Sequence, residues 1–168
     1  KHIQAKKGKN FYILGEYWDN SLKANRKYMR NTEFGIDLFD VGLHFNLYEA
    51  SHSNGNFDLR TIFDRTVVSE HPPMCVTFVD NHDSEPGQSL SSFVEPWFKE
   101  IAYGLILLRE DGYPCVFYGD YYGIGGEYMI PGMKDKIDLL AKIRKNYAYG
   151  EQNDYFNEPD LIGWVRRG

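Results

Sequence analysis

The chain has 168 residues, 42% of them hydrophobic, and a formal charge of −5. This composition suits a globular unit with its own core, and its mild acidity argues against a nucleic-acid partner, which would want a basic stripe. No apolar run approaches the roughly 18 residues that span a membrane, and Lys1-His2-Ile3 opens directly into polar sequence, unlike a signal peptide.

Four short apolar runs read as buried strands: Phe11–Leu14, about Gly35–Phe39, Cys75–Val79 and Pro114–Tyr118. They are rich in aromatic and β-branched residues and do not alternate cleanly, as expected of parallel strands covered on both faces. Helical patterns lie between them. A helix is expected around Ser21–Met29, and others over Val41–Ser51 and Leu59–Asp64. Ser92-Phe93-Val94-Glu95 has the form of a capping box. Behind it Trp97, Phe98, Ile101, Ala102, Leu105 and Ile106 recur at one-face spacing. Gly112-Tyr113-Pro114 ends that helix. A further helix after Pro131 carries Met133, Ile137, Leu140, Ile143 and Tyr147 on one side. The repeated strand–loop–helix order predicts an α/β fold with a parallel sheet. After Gly150 the pattern changes, and Asp154–Asn157 and Leu161–Val165 read as antiparallel strands. The expected division is residues 1–150 and 151–168.

Aromatic residues reach 16%, thirteen of them Tyr. They fit either a bulky core or a sugar-binding surface, where flat rings meet the apolar face of a pyranose. Cys75 and Cys115 open two of the strands and read as free buried thiols, which leans toward a reducing, cytoplasmic compartment, with secretion the alternative.

The chemistry-bearing residues sit at strand ends. Glu16 follows the first strand in L-G-E-Y-W. The third ends in Asp80-Asn81-His82-Asp83, and the fourth in Tyr118-Gly119-Asp120. Sites on parallel α/β sheets form at this carboxyl edge. Glu16 reads either as a solvated turn residue or as a general acid, with Tyr17 and Trp18 lowering the local polarity and favouring its protonated form. Three readings stand for F-V-D-N-H-D (78–83). Asp80 or Asn81 caps a helix beside a packed His; Asp80, His82 and Asp83 hold a metal; or a carboxylate steadies an oxocarbenium-like sugar while His82 donates to its hydroxyls.

These residues resemble the α-amylase family of glycoside hydrolases, in particular its bacterial liquefying and cytoplasmic members. F-V-D-N-H-D is similar to the family's fourth signature, the residues around Glu16 to its third, and Lys1-His2-Ile3 to the tail of its second; G-Y-P-C-V-F-Y-G-D-Y-Y (112–122) also resembles that group. The resemblance implies that the four strands are the fifth to eighth of a (β/α)8 TIM barrel and that the tail begins an antiparallel C-terminal β-domain. It implies Glu16 as general acid/base and Asp83 as transition-state stabiliser. It also implies Lys1, His2, Trp18 and His82 as substrate contacts, and the His2 carbonyl as one ligand of a structural calcium whose other ligands lie mostly upstream. A second calcium near Gly55, Phe57 and Asp160 is a further expectation. The implied substrate is an α-1,4-glucan: starch, glycogen or maltodextrin.

Two departures from the family pattern carry expectations of their own. The family's aspartate nucleophile stands three residues before the lysine matching Lys1, so these 168 residues are expected to be inactive alone and to need the first half of the barrel as a partner. The seven residues Gln4–Asn10 are also too few for the crossover that joins parallel strands, which takes about a dozen, so a helix is expected to be missing there. Gly42 stands where close relatives carry proline, a change expected to be harmless. A non-catalytic carbohydrate-binding fragment is the alternative reading, and a metal-dependent hydrolase using Asp80, His82 and Asp83 a more distant one.

Overall fold

The computed structural model describes residues 11–168, and the expectations for Lys1, His2 and the Gln4–Asn10 connection lie outside them. Four parallel strands form one sheet in the order in which they occur: β1 (Leu14–Gly15), β2 (Asp37–Phe39), β3 (Cys75–Phe78) and β4 (Tyr113–Cys115). The register runs Leu14 beside Asp37, Leu38 beside Cys75, and Val76 beside Tyr113. All four carboxyl ends therefore open on one rim. Each strand is shorter than its apolar run, because only part of each run meets a neighbouring strand in register.

Helices separate the strands: α1 (Leu22–Asn31), α2 (Val41–His52), the single turn α3 (Val67–Glu70) and α4 (Pro96–Leu108). Beyond β4 come a short α5 (Tyr118–Tyr122), the small antiparallel pair β5 (Gly123–Ile124) and β6 (Ile130–Pro131), and α6 (Lys134–Asn146). The core fills the space between sheet and helices with Met29, Leu38, Leu43, Leu47, Val79, Ala102 and Ile106. The chain ends in an antiparallel hairpin of β7 (Glu151–Glu158) and β8 (Leu161–Arg167), with an irregularity in register between Asp154 and Phe156. The hairpin leans on the preceding α/β elements through Leu59 N–H to the Pro159 carbonyl (2.8 Å) and Trp164 Nε1–H to the Leu108 carbonyl (3.3 Å).

Three local expectations are corrected. The capping box does not form. Pro96 occupies the first turn and Glu95 is the N-cap without a side-chain bond; proline's fixed φ and missing N–H start the helix unaided. Ser92 instead meets the ring of His44. The apolar stripe of α4 is also split. Phe98, Ala102, Leu105 and Ile106 are buried, whereas Trp97 and Ile101 are exposed on the flank. Finally, the helix expected over Leu59–Asp64 shrinks to a 3-10 turn at Leu59–Thr61. Its main-chain bonds span three residues, from Thr61 to Asp58, Ile62 to Leu59 and Asp64 to Thr61, and Arg65 then takes a left-handed conformation (φ 56°) that turns the chain away.

Candidate active site

A cleft of about 210 Å³ opens at the carboxyl rim. Each strand contributes to it: Glu16 follows β1, Phe39 ends β2, Phe78 and His82 come from β3 and its loop, and Val116 and Tyr118 from β4 and the residues after it. The floor is aromatic and the lip polar. Glu16 is exposed at this lip, and its Oε1 accepts from the Asn81 side-chain amide at 3.1 Å.

Asn81 opens the loop that follows β3. Its Oδ1 accepts from the main-chain N–H of Asp83 (3.0 Å) and Ser84 (2.9 Å), which folds His82 and Asp83 into a tight turn. Side chains of this type close such turns because they mimic a backbone acceptor. His82 Nε2 lies 3.5 Å from Asp83 Oδ1, and both side chains reach solvent. Glu16 and His82 thus share the cleft, while Asp83 stands beside His82 on the same turn and does not line it.

The aromatic neighbours of Glu16 are engaged elsewhere. Tyr17 stacks on Tyr28 with centroids 4.8 Å apart. Trp18 is half-buried against His44 (5.4 Å), Phe78 (6.1 Å) and Phe45 (6.2 Å).

Two of the rim acids are not free. Asp80 is buried, 2.8 Å from Lys99 Nζ, and it accepts from the Ser84 hydroxyl (2.8 Å) and the Val94 N–H (3.2 Å). Asp120 takes the other side of Lys99 and a 2.8 Å bond from the Tyr103 hydroxyl. Lys99 lies over the ring of Phe93. Burial pushes the Asp80 carboxyl up to about 7, opposed by Lys99 and reinforced by Asp120. This corrects the metal-ligand reading of Asp80, His82 and Asp83. A cation already neutralises Asp80 from within the protein, and a buried ammonium is what such a carboxylate requires. Among the described residues, no group of three or more His, Cys, Asp or Glu is arranged to hold a metal. Gly55, Phe57 and Asp160 do share a groove, but its walls are largely apolar (Ala50, Leu59, Trp97, Phe98) and Asp160 is the one carboxylate among the residues lining it.

Further buried polar residues brace the rim from behind. Asp40, which follows β2, accepts from the N–H groups of Leu43, Val67 and Val68 at 3.0, 3.1 and 2.7 Å, so that one carboxylate caps α2 and α3 together. Burial raises its pKa, while those three N–H groups hold it down. His44 is buried and stacked on Phe78 (5.2 Å, 7°). Its Nδ1–H faces the Val79 carbonyl (2.6 Å) and its Nε2 the Ser92 hydroxyl (2.8 Å). Burial lowers its pKa to about 4. Sequence reasoning passed over both of these residues, and over Lys99. The signal for Lys99 was available: a lysine one position after Phe98 falls on the buried side of a largely apolar helix, three residues before Ala102 and four before Tyr103.

With this geometry established, the chain was compared with known proteins. No family model matches it. It is 53% identical over 167 residues to the glucan 1,4-α-maltohexaosidase of Bacillus sp. strain 707, covering 99% of this chain and 32% of that protein. It is 50% identical to the α-amylase of Bacillus licheniformis over 99% of this chain and 33% of the relative. To the cytoplasmic α-amylase of Escherichia coli K12 it is 38% identical over 100% of this chain and 36% of the relative. The chain belongs to the α-amylase family. It spans about a third of the length of these relatives. Among solved structures, the α-amylase from Geobacillus thermoleovorans, crystallised with acarbose, superposes with a TM-score of 0.68 at 18% identity over 99% of this chain and 41% of that one. An Anoxybacillus α-amylase gives 0.65 at 22% identity, over 96% and 39%. These likenesses establish the fold of this α-amylase-family segment: an α/β unit followed by β structure.

Proposed function

We propose that this chain is the part of an endo-acting α-amylase that carries two of its three reacting carboxylates. β1 to β4 would be strands five to eight of a (β/α)8 barrel, residues 1–150 part of the catalytic domain, and 151–168 the start of the β-domain. The substrate is an internal α-1,4 bond of starch, glycogen or maltodextrin. Glu16 is the general acid/base and Asp83 the transition-state stabiliser. Lys1, His2, Trp18 (through the exposed part of its ring) and His82 are substrate contacts, and the His2 carbonyl is a calcium ligand. The observation that carries this reading is the meeting of Glu16 and His82 across one cleft at the carboxyl rim, with Asp83 on the same turn as His82.

The chemistry follows the retaining route. An aspartate from outside these 168 residues attacks the anomeric carbon as Glu16 gives its proton to the glycosidic oxygen, and the bond to the leaving sugar breaks. Water then enters, Glu16 takes its proton, and the free sugar leaves with its configuration retained. Asp83, with a carboxylate beside His82, opposes the positive charge that develops on the ring in both steps. Without that aspartate the chain forms no glycosyl–enzyme. A binding role alone would leave the acid without a task.

A chimera tests this. The matching segment of the Bacillus sp. strain 707 maltohexaosidase is replaced by this chain, and sugar release from starch is followed. Activity is expected, and Glu16→Gln should lower kcat by about 10²–10⁴-fold, the usual contribution of a positioned acid. A folded chimera without activity, or one indifferent to Glu16→Gln, rejects the proposal.

A further inference from the structure

We infer that Asn81 is a positioning residue of this site: its carboxamide ties Glu16 to the loop bearing His82 and Asp83, and determines which oxygen of Glu16 carries the proton that is delivered. The inference rests on the reading of Glu16 as the acid/base.

The orientation of the Asn81 amide is set by its partners. Main-chain N–H groups only donate, so the atom facing Asp83 and Ser84 must be the carbonyl oxygen. The NH₂ group is then left facing Glu16, and it donates to Oε1. An oxygen that accepts this bond is the poorer place for a proton. A proton on Glu16 therefore sits on Oε2, the oxygen turned away from Asn81. One carboxamide thus orders both candidate carboxylates, Glu16 through a side-chain bond and Asp83 through its main chain.

Asn81 is itself held firmly. Its main-chain N–H donates to the Ser84 oxygen (3.0 Å), and the Ser84 hydroxyl donates to Asp80 (2.8 Å), which Lys99 anchors. The line runs from the buried ion pair through Ser84 and Asn81 to Glu16, and it explains why a buried Lys99–Asp80 pair lies directly behind an exposed acid. The other groups facing Glu16 across the cleft are Asp80, His82, Cys115 and Tyr118, with Asp83 on the adjoining turn.

The bland alternative is that Asn81 only closes the turn. Asn81→Asp separates the two roles, because an aspartate keeps the oxygen that accepts from Asp83 and Ser84 but presents a second oxygen, in place of NH₂, to Glu16. The Glu16 side-chain carboxyl is titrated by ¹³C NMR in the folded chimera described above and in its N81D variant. The expected result is a Glu16 transition at higher pH in N81D, because two carboxylates in contact resist both being ionised, with the Asp83 and Ser84 amide signals in place. An unmoved transition overturns the inference. The unmutated chimera provides a second reading if N81D does not fold. The Asn81 side-chain NH₂ signals should shift as Glu16 titrates, and this dependence should vanish in Glu16→Gln; NH₂ signals flat through the Glu16 transition overturn the inference equally. Neither measurement uses activity, so an inactive chimera leaves it standing. An active chimera with an unmoved Glu16 transition sinks it alone.

Discussion

Replacing Lys99 with methionine keeps the aliphatic stem and removes the charge, so it isolates what the buried cation does. The lysine side chain is 4% exposed, Asp80 0% and Asp120 1%. Two carboxylates would be left facing each other without a counter-charge and away from water. Breaking a buried pair on one side costs about 3–5 kcal/mol, a large part of the total stability of about 5–15 kcal/mol typical of a folded domain. The loss should depend on pH. In the wild type the Asp80 carboxyl is raised to about 7 even with Lys99 beside it, and removing the lysine takes away the largest influence holding it down. The variant can relieve the repulsion by keeping a proton on Asp80, which is easy near pH 5 and costly near pH 8. Urea unfolding at both pH values is the assay. The expected result is a loss of about 3–5 kcal/mol near pH 8 and a distinctly smaller one near pH 5. A loss below about 1 kcal/mol near pH 8 would place the pair in the class of exposed ion pairs and refute the argument. So would equal losses at the two pH values.

Two more substitutions probe the bracing behind the rim. The His44 pKa is lowered to about 4 by burial, so the stability it supports is complete above about 6.5 and falls as pH drops toward 4, by about 3 kcal/mol in all. Asp80, raised to about 7, has the opposite slope in that window: its contribution is fullest below about pH 4 and is lost as pH rises through 7. The two partly cancel in the wild type. His44→Gln should therefore unmask a stability that rises on acidification from pH 7 to pH 5 in denaturant melts, and a wild-type-like profile would speak against a buried neutral imidazole. Asp40→Asn should lower stability by about 1–3 kcal/mol in thermal or urea unfolding. An amide NH₂ would then face N–H donors from the first turns of α2 and α3, and an unchanged midpoint would mean those caps are dispensable.

Much of the layout was legible in the chain itself. The apolar runs around Leu14, Leu38, Val76 and Cys115 located all four strands, and the turn residues between them separated the helices. The change of pattern at Gly150 located the terminal hairpin. The F-V-D-N-H-D and G-E-Y-W stretches identified the rim. Boundaries were less visible, because pairing register rather than composition sets where a strand stops. The capping box failed because Pro96, just after it, starts the helix on its own and leaves Ser92 for the His44 ring.

What the order of residues determined by itself was local: apolar periodicity chose strand or helix, and Gly and Pro chose the breaks, since these depend on near neighbours. What only the tertiary structure decided was which acids are free. Asp80, Glu16 and Asp120 look alike as strand-end carboxylates. Lys99, brought in on a helix from elsewhere in the chain, claims Asp80 and Asp120 and leaves Glu16 open to the cleft. Charge pairing acts across space, through a few ångströms of low-dielectric interior, so no pattern along the chain could have assigned it.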